Sequence, residues 1–306
     1  MRIAVMGAGG VGGYFGARLA GGGQDVSFIA RGLQLDALRR NGLRVQSPLG
    51  DVHLPDVVAT DDPADLDPVD VVLFGVKLWD TEQAAAQLKP LLGEGAAVVS
   101  FQNGVVKDDL LRRELGPAHV LGGACYISAA IAEPGVIRHS GPMQKLVFGE
   151  FDGSTTPRVA ALRDACARSG IDVEVSATIE RTIWEKFVFL VGLSGTTSLA
   201  RTPIGPIRDN PRSRAFLFDV MDEVVQVARA QGVALPVDYA RDRLSFVDTV
   251  PAAMTSSMHH DLERGGRLEV AWLSGDVVAR GAEAGVATPA NRAVADLLAV
   301  HADGAP

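Results

Sequence analysis

The chain has 306 residues, 47% of them hydrophobic and 22% charged, with a net charge of −8; that is enough for two domains with substantial cores and shows no sign of disorder. The acidic balance argues against nucleic acid or an anionic membrane as a partner, since both reward a basic surface. Strand pattern begins at residue 2 and no apolar run reaches about 18 residues, so neither a cleavable leader nor a membrane span is expected and the location expected is cytoplasmic.

Ile3-Ala4-Val5-Met6 is a short apolar run that suits a strand buried on both faces of a parallel sheet. It runs straight into Gly7-Ala8-Gly9-Gly10-Val11-Gly12, in which Gly7, Gly9 and Gly12 hold the G-x-G-x-x-G spacing. Val11, Phe15 and Leu19 then recur at helical intervals. Strand, glycine turn and helix in this order form the dinucleotide-binding fingerprint: one glycine makes the tight turn, one admits a pyrophosphate, one lets helix pack on strand. The next strand, 25–31, ends in Arg31. An acid there serves the 2′-hydroxyl of NAD, whereas an arginine can pair with the 2′-phosphate of NADP, so NADPH is expected; a solvated arginine at a strand end is the other reading.

A polar helix to about Arg40 follows, then short strands at 43–46 and 57–60 and a loop rich in Asp and Pro at 60–68. Residues 69–76 read as a buried strand ending at Lys77, on the sheet edge where ligands bind in open parallel sheets. A helix is expected over 81–92 and a strand over 96–101, ending in Gln102-Asn103-Gly104. Asn-Gly marks a turn, yet its place beside Lys77 and the glycine loop would let Asn103 hydrogen-bond both nicotinamide ribose and substrate. Between His119 and Glu150 three short strands, 119–127, 135–139 and 145–149, are expected as antiparallel additions to the sheet edge, separated at Glu133-Pro134-Gly135 and Gly141-Pro142. A helix at 157–169 and a strand at 171–175 close this part.

Beyond Ala177 the period is helical throughout: 178–200, 214–231, 237–246, 268–283 and 290–301. The expected architecture is α/β, a doubly wound Rossmann-type sheet domain over residues 1–177 followed by an all-helical second domain over 178–306. A cleft between the two is expected to hold the chemistry. Cys125 and Cys166 make no spaced metal or redox motif and are expected as buried thiols, and His259-His260 completes no metal site. A helical second domain allows a homodimer, but no residue requires one. Lys186 lies among Trp184, Phe187, Val188, Phe189, Leu190 and Val191, either snorkelling or facing a cleft, with Leu190, Ser194 and Thr197 along its helical face.

Taken in order, the glycine loop, Arg31, Lys77, Asn103-Gly104, Trp184-Glu185-Lys186, Ser256-Ser257-Met258 and Glu269 resemble the ketopantoate reductase (2-dehydropantoate 2-reductase) family over essentially the whole chain. The resemblance implies NADPH-dependent reduction of a 2-oxo acid, ketopantoate to pantoate on the route to coenzyme A. It implies Lys186 as general acid and Glu269 as its partner or a cofactor contact. The glycine loop and Lys77 would carry phosphates, and Ala130 would line the cofactor through its backbone. Asn103 and Ser257 would hold the substrate. Family members that reduce ketopantoate carry asparagines one and two turns after the lysine and another before Ser-Ser-Met, where this chain has Leu190, Ser194 and Met254. Leu190 cannot hydrogen-bond a hydroxyl. Two alternatives therefore stand beside ketopantoate: a reductase of a less polar carbonyl or imine, or a non-catalytic NADP(H) sensor.

Overall fold

A computed structural model describes residues 1–304, which divide into two compact units: Met1–Asn103 with Lys107–Ile179, and Gly104–Val106 with Glu180 onward. In the first, β1 (Arg2–Met6) lies between β2 (Asp25–Ile29) and β6 (Val69–Phe74), parallel to both. β5 (Val58–Thr60) extends the sheet beyond β2, while β7 (Leu92–Ser100) and β8 (Val120–Glu133) extend it beyond β6. The chain winds outward one way from β1 and then returns to wind the other, so the reversal lies between β1 and β6. Ligands of open parallel sheets sit above such a reversal, at the strands' carboxyl ends.

Alternation along β1 explains why both faces are covered. Ile3 and Val5 join a core with Phe15 and Leu19 of α1 (Gly10–Gly21) and with Val159 and Leu162 of α5 (Pro157–Arg168). Ala4 and Met6 face the opposite way, into a core with Ala84 and Ala85 of α3 (Thr81–Gln87) and Leu111 of α4 (Val106–Leu115). α2 (Gly32–Asn41) places Leu35 and Leu38 on the α1 side.

Several expected elements differ from those observed. The helix expected over 81–92 stops at Gln87, because Pro90 has no amide hydrogen to continue it; residues 89–91 form a 3-10 turn and β7 starts at Leu92. The strands expected at 135–139 and 145–149 are one continuous strand, β9 (Val136–Gly149). Gly141, Pro142 and Met143 bulge out of the ladder, since Ile127 pairs with Gln144 while Ser128 pairs with Ser140. Gly141 takes φ +79°, His139 Nε2 closes the bulge on the Met143 carbonyl at 2.9 Å, and the proline costs the ladder nothing there. Only β8 is antiparallel to β9; β3 (Leu43–Gln46) and β10 (Asp172–Val175) pair with it in parallel. β4 (Val52–Leu54) pairs antiparallel with β3 at one end of the sheet.

The second unit is helical among the described residues, and α6 (Ile179–Ala200) is its centre. A Cβ on Gly192 would stand 2.6 Å from Met221 Cγ of α8 (Pro211–Ala230), and one on Gly195 3.1 Å from Val294 Cγ1 of α12 (Pro289–Leu298); glycine is what lets these helices approach α6. α7 (Ile204–Asp209) lies between the helices expected over 178–200 and 214–231, its first amides bonded to the carbonyls of Met254 and Ala252. α8 starts where Asn210 caps the amides of Arg212 and Ser213 and Pro211 takes the first helical position. α9 (Tyr239–Val247) and α10 (Ser257–Glu263) follow. The helix expected over 268–283 is a 3-10 turn, Val270–Trp272, then α11 (Ser274–Ala284). No helix among the described residues is long and apolar enough to cross a membrane.

Candidate functional site

The glycine loop links β1 to α1, and each glycine has its own reason. Gly7 adopts φ +96°, and a Cβ there would stand 2.8 Å from the Val76 amide nitrogen. A Cβ on Gly12 would come within 2.2 Å of the Gly7 carbonyl oxygen, and one on Gly10 within 2.3 Å of the Ala129 carbonyl oxygen. Gly9 is different: its φ is −82°, open to any residue, and a Cβ there would meet no protein atom within 4 Å. Nothing inside the protein demands glycine at position 9. The space its missing side chain leaves, beside a helix N-terminus without a side-chain cap, fits the close passage of a pyrophosphate. The residues present thus fit a dinucleotide.

Tertiary contacts gather the other first-unit candidates around this loop. Ala129-Ala130 of β8 lies directly against Gly10. Gln34 of α2 donates to the Ala8 carbonyl at 2.9 Å and accepts from the Gly135 amide at 2.9 Å, clamping the loop to the β8–β9 hairpin. Arg31, just past β2, forms an ion pair with Asp80 at 2.8 Å, which draws the β2 end toward the Lys77 loop after β6. Lys77 is exposed, with its ammonium 5.5 Å from the centre of the Trp79 ring. Gln102, immediately before the half-buried Asn103, donates to the Val76 carbonyl at 3.0 Å and to Thr81 Oγ1 at 2.8 Å.

In the second unit, Lys186 and Leu190 are half-buried on α6, but Ser194 is 1% exposed, its hydroxyl enclosed without a hydrogen-bond partner. Thr197 is also buried, its hydroxyl bonded back to the Leu193 carbonyl at 2.6 Å. The stripe therefore runs from a partly open end at Lys186 into the helical core. Ser257 is exposed at the start of α10, while Ser256 caps that helix by accepting from the His259 amide at 3.1 Å. His259 Nδ1 meets the Thr197 carbonyl oxygen at 2.9 Å, fastening the Ser-Ser-Met segment to α6. Glu269 is buried, 7% exposed, and occupies the N-cap position of the 3-10 turn Val270–Trp272.

Gln34, Gln102, Asp80 and the Lys107–Asp108 pair escaped the sequence reading. Each works through a tertiary partner that no spacing advertises, except that Lys107 and Asp108 are neighbours. Lys107 Nζ bonds both Asp108 oxygens at 2.8 Å in a fully buried setting, and burial pushes the Asp108 carboxyl above its usual range despite that ammonium. Among the described residues no cluster of His, Cys, Asp and Glu could hold a metal ion.

Both units match one family. Residues 3–153 match the model of ketopantoate reductase PanE/ApbA, and residues 178–302 the model of its C-terminal part. The chain belongs to the ketopantoate reductase family. It is 34% identical to a 2-dehydropantoate 2-reductase of Halobacterium salinarum, over 97% of this chain and 98% of that one. An uncharacterized oxidoreductase, YkpB, of Bacillus subtilis is 32% identical over 94% and 95% of the two chains. The crystal structure of a PanE/ApbA family ketopantoate reductase from Ralstonia eutropha superposes with a TM-score of 0.89 at 36% identity, covering 98% of each chain. Membership makes the chain an oxidoreductase that acts on a CH–OH group, in a family whose cofactor is NADPH.

Proposed function

We propose that the chain reduces a 2-oxo acid to a 2-hydroxy acid, with 2-dehydropantoate the first substrate to try and Lys186 the general acid. The observation that carries this is Lys186 itself: a half-buried amine on the central helix of a unit that matches the ketopantoate reductase C-terminal model. NADPH, when bound, supplies the hydride. As hydride reaches the carbonyl carbon, negative charge grows on oxygen; the Lys186 ammonium stabilises that charge and gives up its proton to complete the alcohol. Glu269, a carboxylate held in a buried turn, favours the charged form of a nearby amine or meets the cofactor. Ser257 donates to the substrate carboxylate, and Asn103, set by the Gln102 anchor, orients carbonyl and nicotinamide. Gly7 to Gly12, Ala130 and Lys77 bind the dinucleotide, with Arg31 selecting the 2′-phosphate.

A second reading, a less polar 2-oxo acid, is favoured by Leu190. Its half-buried side chain offers no hydrogen bond where family members that reduce ketopantoate carry asparagine, and a site without that bond loses the discrimination it supplies. Purified protein with NADPH is to be assayed on 2-dehydropantoate and on 2-oxo acids lacking the 4-hydroxyl. Turnover of 2-dehydropantoate with the higher kcat/KM supports the first reading. Preference for the deoxy analogues supports the second. NADPH binding without turnover of any 2-oxo acid contradicts both and leaves a sensor.

A further inference from the structure

We propose that Asp80 sets how strongly this chain prefers NADPH over NADH, by competing with the cofactor's 2′-phosphate for Arg31. The inference rests on the cofactor reading above. In dinucleotide folds the residue at the end of the second strand decides the choice: an acid accepts from a 2′-hydroxyl, an arginine pairs with a 2′-phosphate. This chain has both groups at that place, from different loops. Arg31 follows β2, and Asp80 comes from the turn after β6, two strands that flank β1 on either side.

Their geometry shows a committed pair. Arg31 Nη2 donates to Asp80 Oδ2 at 2.8 Å, with side chains 66% and 24% exposed, so the guanidinium stands in the open while the carboxylate is partly walled in. Asp80 occupies the N-cap position of α3, where an aspartate ordinarily accepts from its own helix's amides. It makes no such bond here, and its carboxylate is turned to Arg31. A 2′-phosphate arriving at Arg31 has to share or displace this carboxylate and sit beside its charge. A 2′-hydroxyl meets no repulsion and finds an acceptor. Asp80 therefore narrows the preference that Arg31 alone would give, and it acts as a positioning residue through Arg31.

The test is direct binding of NADPH and of NADH, followed by nucleotide fluorescence without substrate, to wild type, Asp80→Asn and Asp80→Glu. Asp80→Asn keeps an acceptor for Arg31 and removes the charge. It is expected to raise the ratio Kd(NADH)/Kd(NADPH) about fivefold, the upper end for the charge of a solvent-exposed ion pair. Asp80→Glu keeps the charge and should leave the ratio within about twofold of wild type. A structural lesion would weaken both nucleotides alike and leave the ratio unmoved, which overturns the inference. Wild type that binds both nucleotides with a ratio Asp80→Asn does not change overturns it alone; wild type that binds neither overturns the cofactor reading and this inference with it.

Discussion

Alanine at Gly9 and alanine at Gly12 are expected to damage the protein in opposite ways. At Gly12 the new methyl would stand 2.2 Å from the Gly7 carbonyl oxygen and 3.0 Å from Val5 Cγ1. Ordinary contacts are about 3.5 Å or longer, so the turn must move by roughly 1 Å against a buried strand. Overpacking of this kind costs about 1–3 kcal/mol, which for a unit of this size lowers Tm by roughly 2–12 °C. At Gly9 the methyl meets nothing within 4 Å and φ is −82°, which alanine adopts without strain. The lost cap preference of glycine, some tenths of a kcal/mol, is offset by the restricted unfolded chain, about 0.4–1 kcal/mol. Gly9→Ala should therefore melt within about 2 °C of wild type, yet bind NADPH at least about tenfold more weakly, because the methyl fills the pyrophosphate's approach. Thermal unfolding without nucleotide, paired with NADPH titration, reads both effects. Gly9→Ala that binds NADPH like wild type would refute the reasoning.

Three further outcomes follow from other parts of the molecule. Leu190→Asn should raise kcat/KM for 2-dehydropantoate relative to its 4-deoxy analogue by about tenfold, as a restored hydrogen bond to a substrate hydroxyl would; an unchanged ratio in steady-state assays would remove Leu190 from the substrate's surroundings. Glu223 is buried and accepts from the Ala290 and Asn291 amides and from Asn291 Nδ2 at 2.7–2.8 Å, capping α12 from α8. Glu223→Ala should cost about 3 kcal/mol, one per lost bond, seen as a Tm drop of roughly 6–12 °C; a drop under 2 °C would contradict that account of the cap. Burial opposes the charge of Glu150, but bonds from Arg158 at 2.8 Å and Thr156 at 2.6 Å outweigh it and hold the carboxyl below its ordinary value of 4.5. A lowered folded value means stability that is present above the ordinary value and lost as pH falls through the folded one. The stability gap between wild type and Arg158→Met should thus be full at neutral pH and shrink below about pH 4; a gap independent of pH in acid titrations would assign Arg158 a packing role alone.

The parts of this molecule that were readable from sequence are those whose cause is local. The glycine loop could be placed because turn, strand and helix follow one another within twenty residues, and α6 because its apolar residues repeat at helical spacing. β9 was split at Gly141-Pro142 because those residues usually end a strand; that they bulge out depends on β8, which supplies the opposing register. α4 went unmarked because VKDDLLRREL carries a thin apolar stripe and buries Lys107 and Asp108 as a pair. The clamps at the site, Gln34 on Ala8 and Gly135, Gln102 on Val76 and Thr81, and Asp80 on Arg31, join residues 21 to 101 positions apart. A single polar residue gives no sign of a partner that far along the chain. Ser194 shows the reverse: its place in the stripe was legible, but its enclosure came only with the packing of α6.

Delivery of the proton by the Lys186 amine is tested most directly by kcat for 2-oxo acid reduction by Lys186→Ala, measured beside its NADPH affinity. A fall in kcat of about 10²–10⁴-fold is expected, the usual contribution of a positioned general acid, with NADPH binding within about twofold of wild type. Turnover retained at the wild-type rate, with cofactor binding intact, would contradict it.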